Sequence, residues 1–150
     1  MRRADCAALA EIESSYPSPW SASRIVSELI CPRGIALVAE KKGMVVGWCC
    51  ARFIDTEAEL LKIAVDPSYR RIHVGTRLMA EIISCLTRWG VVTIFLEVRA
   101  ANYPAIHFYG TMGFVQAGVR RGYYREPVED GLLLGLNVTE HAKADDEREP

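Results

Sequence analysis

"AELLKIAVDPSYRRIHVGTRLMAEIISCLTRWGVVTIFLEV", residues 58–98, decides the fold. Its first eight residues, Ala58 to Val65, read as a strand stopped by Asp66-Pro67, and its last eight, Val91 to Val98, read as another. The segment between them, from Val74 to Gly90, reads as a helix that the glycine closes. A strand, helix and strand in this order place two parallel strands side by side through a right-handed crossover. Ligands of open α/β sheets gather at the carboxyl ends of such strands, where residues 66–75 form the turn. That turn carries Arg70 and Arg71 and feeds a helix N-terminus, whose free N–H groups and dipole suit an anion. Without a G-x-x-x-x-G-K-S/T pattern it is not a nucleotide-hydrolase phosphate loop. The plainer alternative is a pair of solvated arginines and a glycine that eases the turn.

Outward from this unit, Cys6, Leu9, Ala10 and Ile12 recur at helical spacing and predict a helix over about residues 4–14. "YPSPWS" breaks it. Ser21 suits the N-cap of a second helix whose buried stripe is Ile25, Val26, Leu29 and Ile30, ending at Pro32. "IALVAE", "KKG" and "MVVGWCCARFI" read as strand, turn, strand, with Cys49 and Cys50 on opposite faces. After residue 98 come a short helix from Asn102 to Met112, ended by Gly113, and two antiparallel strands, "FVQAGVRRGYY" and "GLLLGLNV". Residues 139–150 hold five acids and little to bury, so they read as a solvated, disordered tail behind one domain, 1–138.

The 150 residues, half of them apolar, are enough for one sizeable core. The net charge is -1, and without the acidic tail the body carries +2, which is not the basic stripe of a nucleic-acid binder. Five cysteines form no C-x-x-C pair, and their odd number does not suggest a secreted disulfide framework. The basic start "MRRADCAALAEIE" lacks the apolar stretch of a secretory signal, and no run is long enough to span a bilayer. A cytoplasmic protein without a membrane or nucleic-acid partner is the expectation; its oligomeric state is open.

Along the second strand of the parallel pair, Val92, Ile94, Leu96 and Val98 share one face, and Val91, Thr93, Phe95, Glu97 and Arg99 share the other. Glu97 is thus a carboxylate beside the strand's carboxyl end, suited to act as a base toward an amine. The structural alternative is an ion pair with Arg99 on its own face. Tyr109 falls in step with Ile106 and Met112, a spacing that fits a structural role. Cys85, among Ile82, Leu86 and Trp89, reads as core. His107 has no histidine or cysteine at metal spacing, so no metal site is expected.

"ELLKIAVDPSYRRIHVGTRLM", "LEVRAANYPAIHFYGTMGF" and "VRRGYY" resemble the Gcn5-related N-acetyltransferase (GNAT) superfamily. Within it they most resemble the RimI type, which acetylates the N-terminal alanine of a small-subunit ribosomal protein in bacteria. The likeness covers residues 4–138, "PWS" included. It implies an α/β (α+β) fold with a mixed central sheet of about six to seven strands, a splayed parallel pair and about four helices. It implies acetyl-CoA as acyl donor, without a metal, and a protein or peptide N-terminus as partner.

Laid on the superfamily pattern R/Q-x-x-G-x-G/A, Arg70 takes the first position, His73 the first glycine and Gly75 the last. The resemblance then assigns the diphosphate to the backbone of His73, Val74, Gly75 and Thr76 with Arg70 and Arg71. It assigns the pantetheine to Ile63, Ala64 and Val65, and the oxyanion to N–H groups near Ala64 and Val65. Asn102 caps its helix or contacts CoA. Glu97 matches the superfamily base, acting through a water, and Tyr109 the acid that protonates the leaving thiolate. Trp20 and Tyr123 flank the acceptor, with Tyr124 facing away from Tyr123 on an alternating strand. His73 departs from the pattern: it implies either ordinary φ or strain, and its ring either donates to a phosphate oxygen or is an idle surface group. Transfer to a lysine or a small amine, or a non-catalytic acyl-CoA-binding module, are the alternative functions.

Overall fold

The computed structural model describes residues 1–140. The described residues hold the α-helices α1 (Cys6–Ser14), α2 (Ala22–Leu29), α3 (Val74–Arg88) and α4 (Tyr103–Thr111), together with six strands. These are β1 (Gly34–Lys41), β2 (Met44–Ile54), β3 (Glu57–Val65), β4 (Thr93–Arg99), β5 (Val115–Arg125) and β6 (Val128–Asn137). They form one mixed sheet in the order β1-β2-β3-β4-β6-β5, so the α/β (α+β) architecture is the expected one with six strands. Of the expected tail, Thr139 and Glu140 stay with the domain, their N–H groups donating to the Asn137 side chain at 3.0 and 3.4 Å. The rest of it, 141–150, lies outside the described residues. No described helix is long and apolar enough to cross a membrane.

Both faces of the sheet are covered, by different means. Ala58, Leu60, Ile94, Leu96 and Val98 pack with Leu78, Met79, Ile82 and Leu86 of α3. On the opposite face Trp48, Cys50 and Ala64 pack with Leu9, Ile12 and Ile25 of α1 and α2. Cys49 joins the first core and Cys50 the second, both fully buried, as strand alternation requires. Burial raises the Cys49 thiol to about 12 and that of Cys50 further, so neither is a thiolate at neutral pH. At Gly47 an added Cβ would lie 3.1 Å from the Ala64 carbonyl and 3.2 Å from Leu78 and Val74, so the glycine permits the close seat of α3 on β2.

Charges tie α1 and α2 to the sheet where pattern alone predicts apolar contact. Ser21 caps α2 as expected, accepting from the Arg24 N–H at 3.2 Å, but Ile30 is 71% exposed and does not join the buried stripe. Instead Glu28 points inward and takes two bonds from Arg52, at 2.7 and 3.0 Å. Glu13, with no exposed surface, accepts from Trp48 Nε1 and the Trp20 N–H, each at 3.0 Å, and from Lys62 Nζ at 2.9 Å. A buried carboxylate is tolerated only when its oxygens are so satisfied.

The parallel pair is incomplete. β3 and β4 are bonded only at Glu57↔Thr93, Ala58↔Ile94 and Glu59↔Phe95. Beyond that, β4 continues beside β6 as far as Arg99↔Gly131, and β3 continues beside β2 as far as Val65↔Gly47. The cause of the parting lies in β3, where Leu60 faces Ala51 but Lys62 faces Cys50, leaving Leu61 as an extra residue. Such a bulge bends its strand and increases the local twist, and here it turns the end of β3 away from β4.

Candidate active site

Where the strands part, the backbone of β3 has polar groups with no strand to pair with. In an antiparallel ladder alternate residues face the partner. The Asp66 N–H bonds to the Val46 carbonyl at 2.9 Å, so Ala64 also faces β2, while Ile63 and Val65 face the gap. Ala64, expected beside Val65 as an oxyanion donor, therefore has its N–H committed to β2 and its side chain buried among α1 and α2. The groups available to a ligand in the gap are those of Ile63 and Val65. Val65 already has a partner that sequence reasoning missed: the Tyr16 hydroxyl donates to its carbonyl at 3.0 Å and accepts from its N–H at 2.9 Å.

The basic turn follows directly. Asp66 accepts from the Ser68 N–H at 2.8 Å, Pro67–Tyr69 form a 3-10 turn, and α3 starts at Val74. Arg71 (φ 62°) and His73 (φ 65°) are both left-handed, a conformation that costs a non-glycine residue roughly 1–2 kcal/mol. Of the two possibilities for His73, strained φ is the one found. The first helical bond runs from the Arg77 N–H to the His73 carbonyl at 3.0 Å, and no side chain caps the end. The N–H groups of His73, Val74, Gly75 and Thr76 thus precede the helical ladder, with Arg70, Arg71 and Thr76 exposed around them. Gly75 lies against α4, where an added Cβ would meet Phe108 at 3.6 Å.

On the sheet face away from α3, a cleft of about 460 Å³ is lined by Arg52, Glu57, Glu59, Phe95, Glu97 and Arg120. Glu97 is mostly buried and takes Arg120 Nε at 3.1 Å. The alternative pairing with Arg99 does not occur, because Arg99 turns to Glu129 at 3.4 Å and lies 4.2 Å from the Tyr124 ring. Tyr123 is raised above the ordinary phenol range by its hydrogen bond to Glu97 and by that carboxylate's charge. Tyr124 is raised by burial first and then by Glu97. The two tyrosines do not face oppositely, as alternation predicts: their ring centres are 5.1 Å apart and both lean over Gly131. The register of β5 shifts between Arg120 and Tyr124, with Gly122 at φ 59°, and this irregularity cancels the alternation.

Tyr109, on α4, is half-buried against Phe108 and Phe114, with ring centres 5.5 and 5.9 Å away. Burial raises its phenol to about 12, and Tyr16 and Tyr124 add to the shift. Asn102 accepts from the Ala105 N–H at 3.3 Å and so caps α4. Trp20 is turned into the α1 and α2 core, edge-on to Trp48 at 5.6 Å with the Arg24 guanidinium 3.7 Å above it, and does not line the cleft. Among the described residues no cluster of three or more metal-ligating side chains occurs, and all five cysteines are free.

A ligand with an extended amide-bearing arm and a diphosphate suits this arrangement. The gap offers Ile63 and Val65 as a strand edge, and the diphosphate would meet the uncapped α3 end beside Arg70 and Arg71. The sequence model of the acetyltransferase (GNAT) family matches residues 6–114. Two relatives are similar over most of their length. The Escherichia coli ribosomal protein bS18-alanine N-acetyltransferase is 33% identical over 129 residues, 85% of this chain and 86% of that one. The Mycobacterium tuberculosis N-alpha-acetyltransferase RimI is 35% identical over 141 residues, covering 89% and 87%. The crystal structure of the Escherichia coli ribosomal-protein-S18-alanine N-acetyltransferase superposes with a TM-score of 0.84 at 33% identity, covering 91% of this chain and 90% of that one.

Proposed function

The chain belongs to the acetyltransferase (GNAT) family, and from that premise we propose that it moves acetyl from acetyl-CoA to the α-amine of a protein, the N-terminal alanine of a small-subunit ribosomal protein. It is an acetyl-CoA-dependent N-acetyltransferase. The observation that carries the reading is the parallel pair bonded at three positions only, with an uncapped helix end at one side of the opening and the Glu97 carboxylate in the cleft beside β4.

In this reading Ile63 and Val65 pair with the pantetheine, and His73 to Thr76 with Arg70 and Arg71 hold the diphosphate. A gap-facing N–H of β3 stabilises the oxyanion, in place of Ala64. Glu97 takes the proton of the acceptor ammonium through a water. An α-amine loses its proton near pH 7.7 to 8.0, so a fraction is already neutral near pH 7, and the carboxylate with its water need only pass the proton on to solvent. The free amine attacks the thioester carbonyl, the carbon–sulfur bond breaks, and the new amide nitrogen gives up its second proton to water and so to the thiolate, while Tyr109 donates a hydrogen bond to the departing sulfur. With the phenol raised to about 12, Tyr109 keeps its proton at neutral pH. Complete transfer to a thiolate of ordinary pKa, about 8.5, is uphill by roughly 5 kcal/mol, so Tyr109 acts chiefly by hydrogen bonding while the sulfur leaves. Arg120 and Tyr123 hold Glu97 at the cleft wall.

Peptides separate this acceptor from a lysine side chain. An alanine-starting peptide with a free N-terminus and one with a blocked N-terminus and an internal lysine are compared by CoA release and mass. The reading predicts acetylation of the first alone; acetylation of the blocked peptide would contradict it.

A further inference from the structure

The Tyr16 ring packs against the α1 and α2 core, but its hydroxyl has a position that neither the core nor the catalytic assignment explains. The residue lies beyond the end of α1, yet its hydroxyl reaches into the opening between β3 and β4. There one oxygen satisfies both backbone groups of Val65, accepting at 2.9 Å and donating at 3.0 Å. A phenol has one O–H and acceptor lone pairs, so it can occupy an N–H and a C=O at once, as an amide of a neighbouring strand would. The ring is held by cations: Lys62 Nζ is 5.4 Å and the Arg70 guanidinium 5.1 Å from its centre. Lys62 is anchored by the buried Glu13, but Arg70 belongs to the exposed basic turn before α3.

We propose that Tyr16 is a displaceable plug of the acyl carrier's slot: its hydroxyl holds the free Val65 edge and is exchanged for a pantetheine amide when acetyl-CoA binds. The inference rests on the placement of acetyl-CoA given under Proposed function. Val65 cannot offer the same N–H and C=O fully to Tyr16 and to the carrier, so one occupant replaces the other. The plug spares the free protein an open strand edge, whose unpaired groups invite unwanted pairing. Arg70 links the two ends of the slot: a diphosphate that draws its guanidinium removes one cation from the Tyr16 ring and loosens the hydroxyl. Tyr16 is a positioning residue, since it touches the slot and takes no part in the acyl transfer.

Two measurements test it. Isothermal titration compares wild type and Tyr16→Phe with acetyl-CoA and with adenosine 3′-phosphate 5′-diphosphate, which keeps the diphosphate but has no pantetheine arm. Removing the competing hydroxyl tightens acetyl-CoA by about fivefold, the worth of a net hydrogen bond, and leaves the armless nucleotide unchanged. Equal or weaker acetyl-CoA affinity in Tyr16→Phe, or tightening of both ligands alike, overturns the proposal. If wild type itself fails to bind acetyl-CoA, the placement of the carrier is what fails. In the wild-type protein, 13C-labelled tyrosine gives an independent reading. The Tyr16 ring signal moves on addition of acetyl-CoA as its two bonds are lost; an unmoved signal at saturation overturns the proposal without recourse to a variant.

Discussion

The two sides of the opening are built from different materials. In the proposed reading the carrier side is chiefly backbone, the edge of β3 at Ile63 and Val65 and the uncapped end of α3, with Arg70 and Arg71 beside it. The acceptor side is side chain: Glu97 held by Arg120, with Tyr123 and Tyr124 leaning over Gly131. Backbone groups are independent of residue type and grip what every acyl carrier shares, its amides and phosphates. Side chains vary, and in this reading they set which amine is admitted and assist the loss of its proton. Changes on one side should therefore leave the other's constant untouched.

The largest effect belongs to the acceptor side. Glu97→Gln should lower kcat near pH 7 by about a hundredfold or more while the Kd for acetyl-CoA stays within about twofold. Activity should recover toward higher pH as the acceptor amine loses its proton unaided. Steady-state pH profiles and calorimetry check both, and a matching loss of carrier affinity would break the comparison. Tyr109→Phe should cost less, about tenfold in kcat. The wild-type profile should show no basic limb from this phenol below about pH 10, because its pKa is about 12. The folded value lies above the ordinary one of 10.0, so the stability carried by the protonated phenol is complete below pH 10 and is lost as pH rises through about 12. Thermal unfolding between pH 9 and 12 should show that slope in the wild type and a shallower one in Tyr109→Phe, where the raised Cys49, Cys50, Tyr123 and Tyr124 still contribute.

On the carrier side, Arg70→Ala should weaken acetyl-CoA by about tenfold, as expected for a lost charge-assisted bond, and more at low salt. The KM for the acceptor peptide should not move. The smallest effect is at His73. Glycine there relieves the left-handed strain, so His73→Gly should stabilise the free protein by about 1 kcal/mol and raise its Tm by a few degrees. Acetyl-CoA affinity measured from pH 6 to 8 then decides the role of the ring. If the imidazole donates to a phosphate, His73→Gly flattens the pH slope; if it is idle, the slope is unchanged.

The same contrast explains what the sequence made legible. β3, α3 and β4 follow one another in the chain and each announces itself by its own periodicity, so the crossover is readable locally, whereas the opening beside it came only from the family resemblance, because the Leu61 bulge that makes it is set by pairing with β2. The Ser21 and Asn102 caps are local too. What escaped reading depends on residues far apart. Arg120 meets Glu97 across the sheet, Glu13 joins Lys62 and Trp48, and Tyr16 meets Val65. The Ala64 assignment failed because the pairing partner of each β3 residue is set by β2, and the expected opposition of Tyr123 and Tyr124 failed because a register shift in β5 interrupts the period of two. The charge pattern of α2 carried a missed signal: Glu28 falls three residues after Ile25, on the buried face, and needs a cation such as Arg52.

The most direct measurement is a crystal structure of the protein with acetyl-CoA. The account predicts the pantetheine along Ile63 and Val65 between β3 and β4, the diphosphate at the start of α3, and the sulfur within reach of Tyr109. A carrier bound elsewhere, or a β3 and β4 pair that closes beyond Glu59 and Phe95, would contradict it.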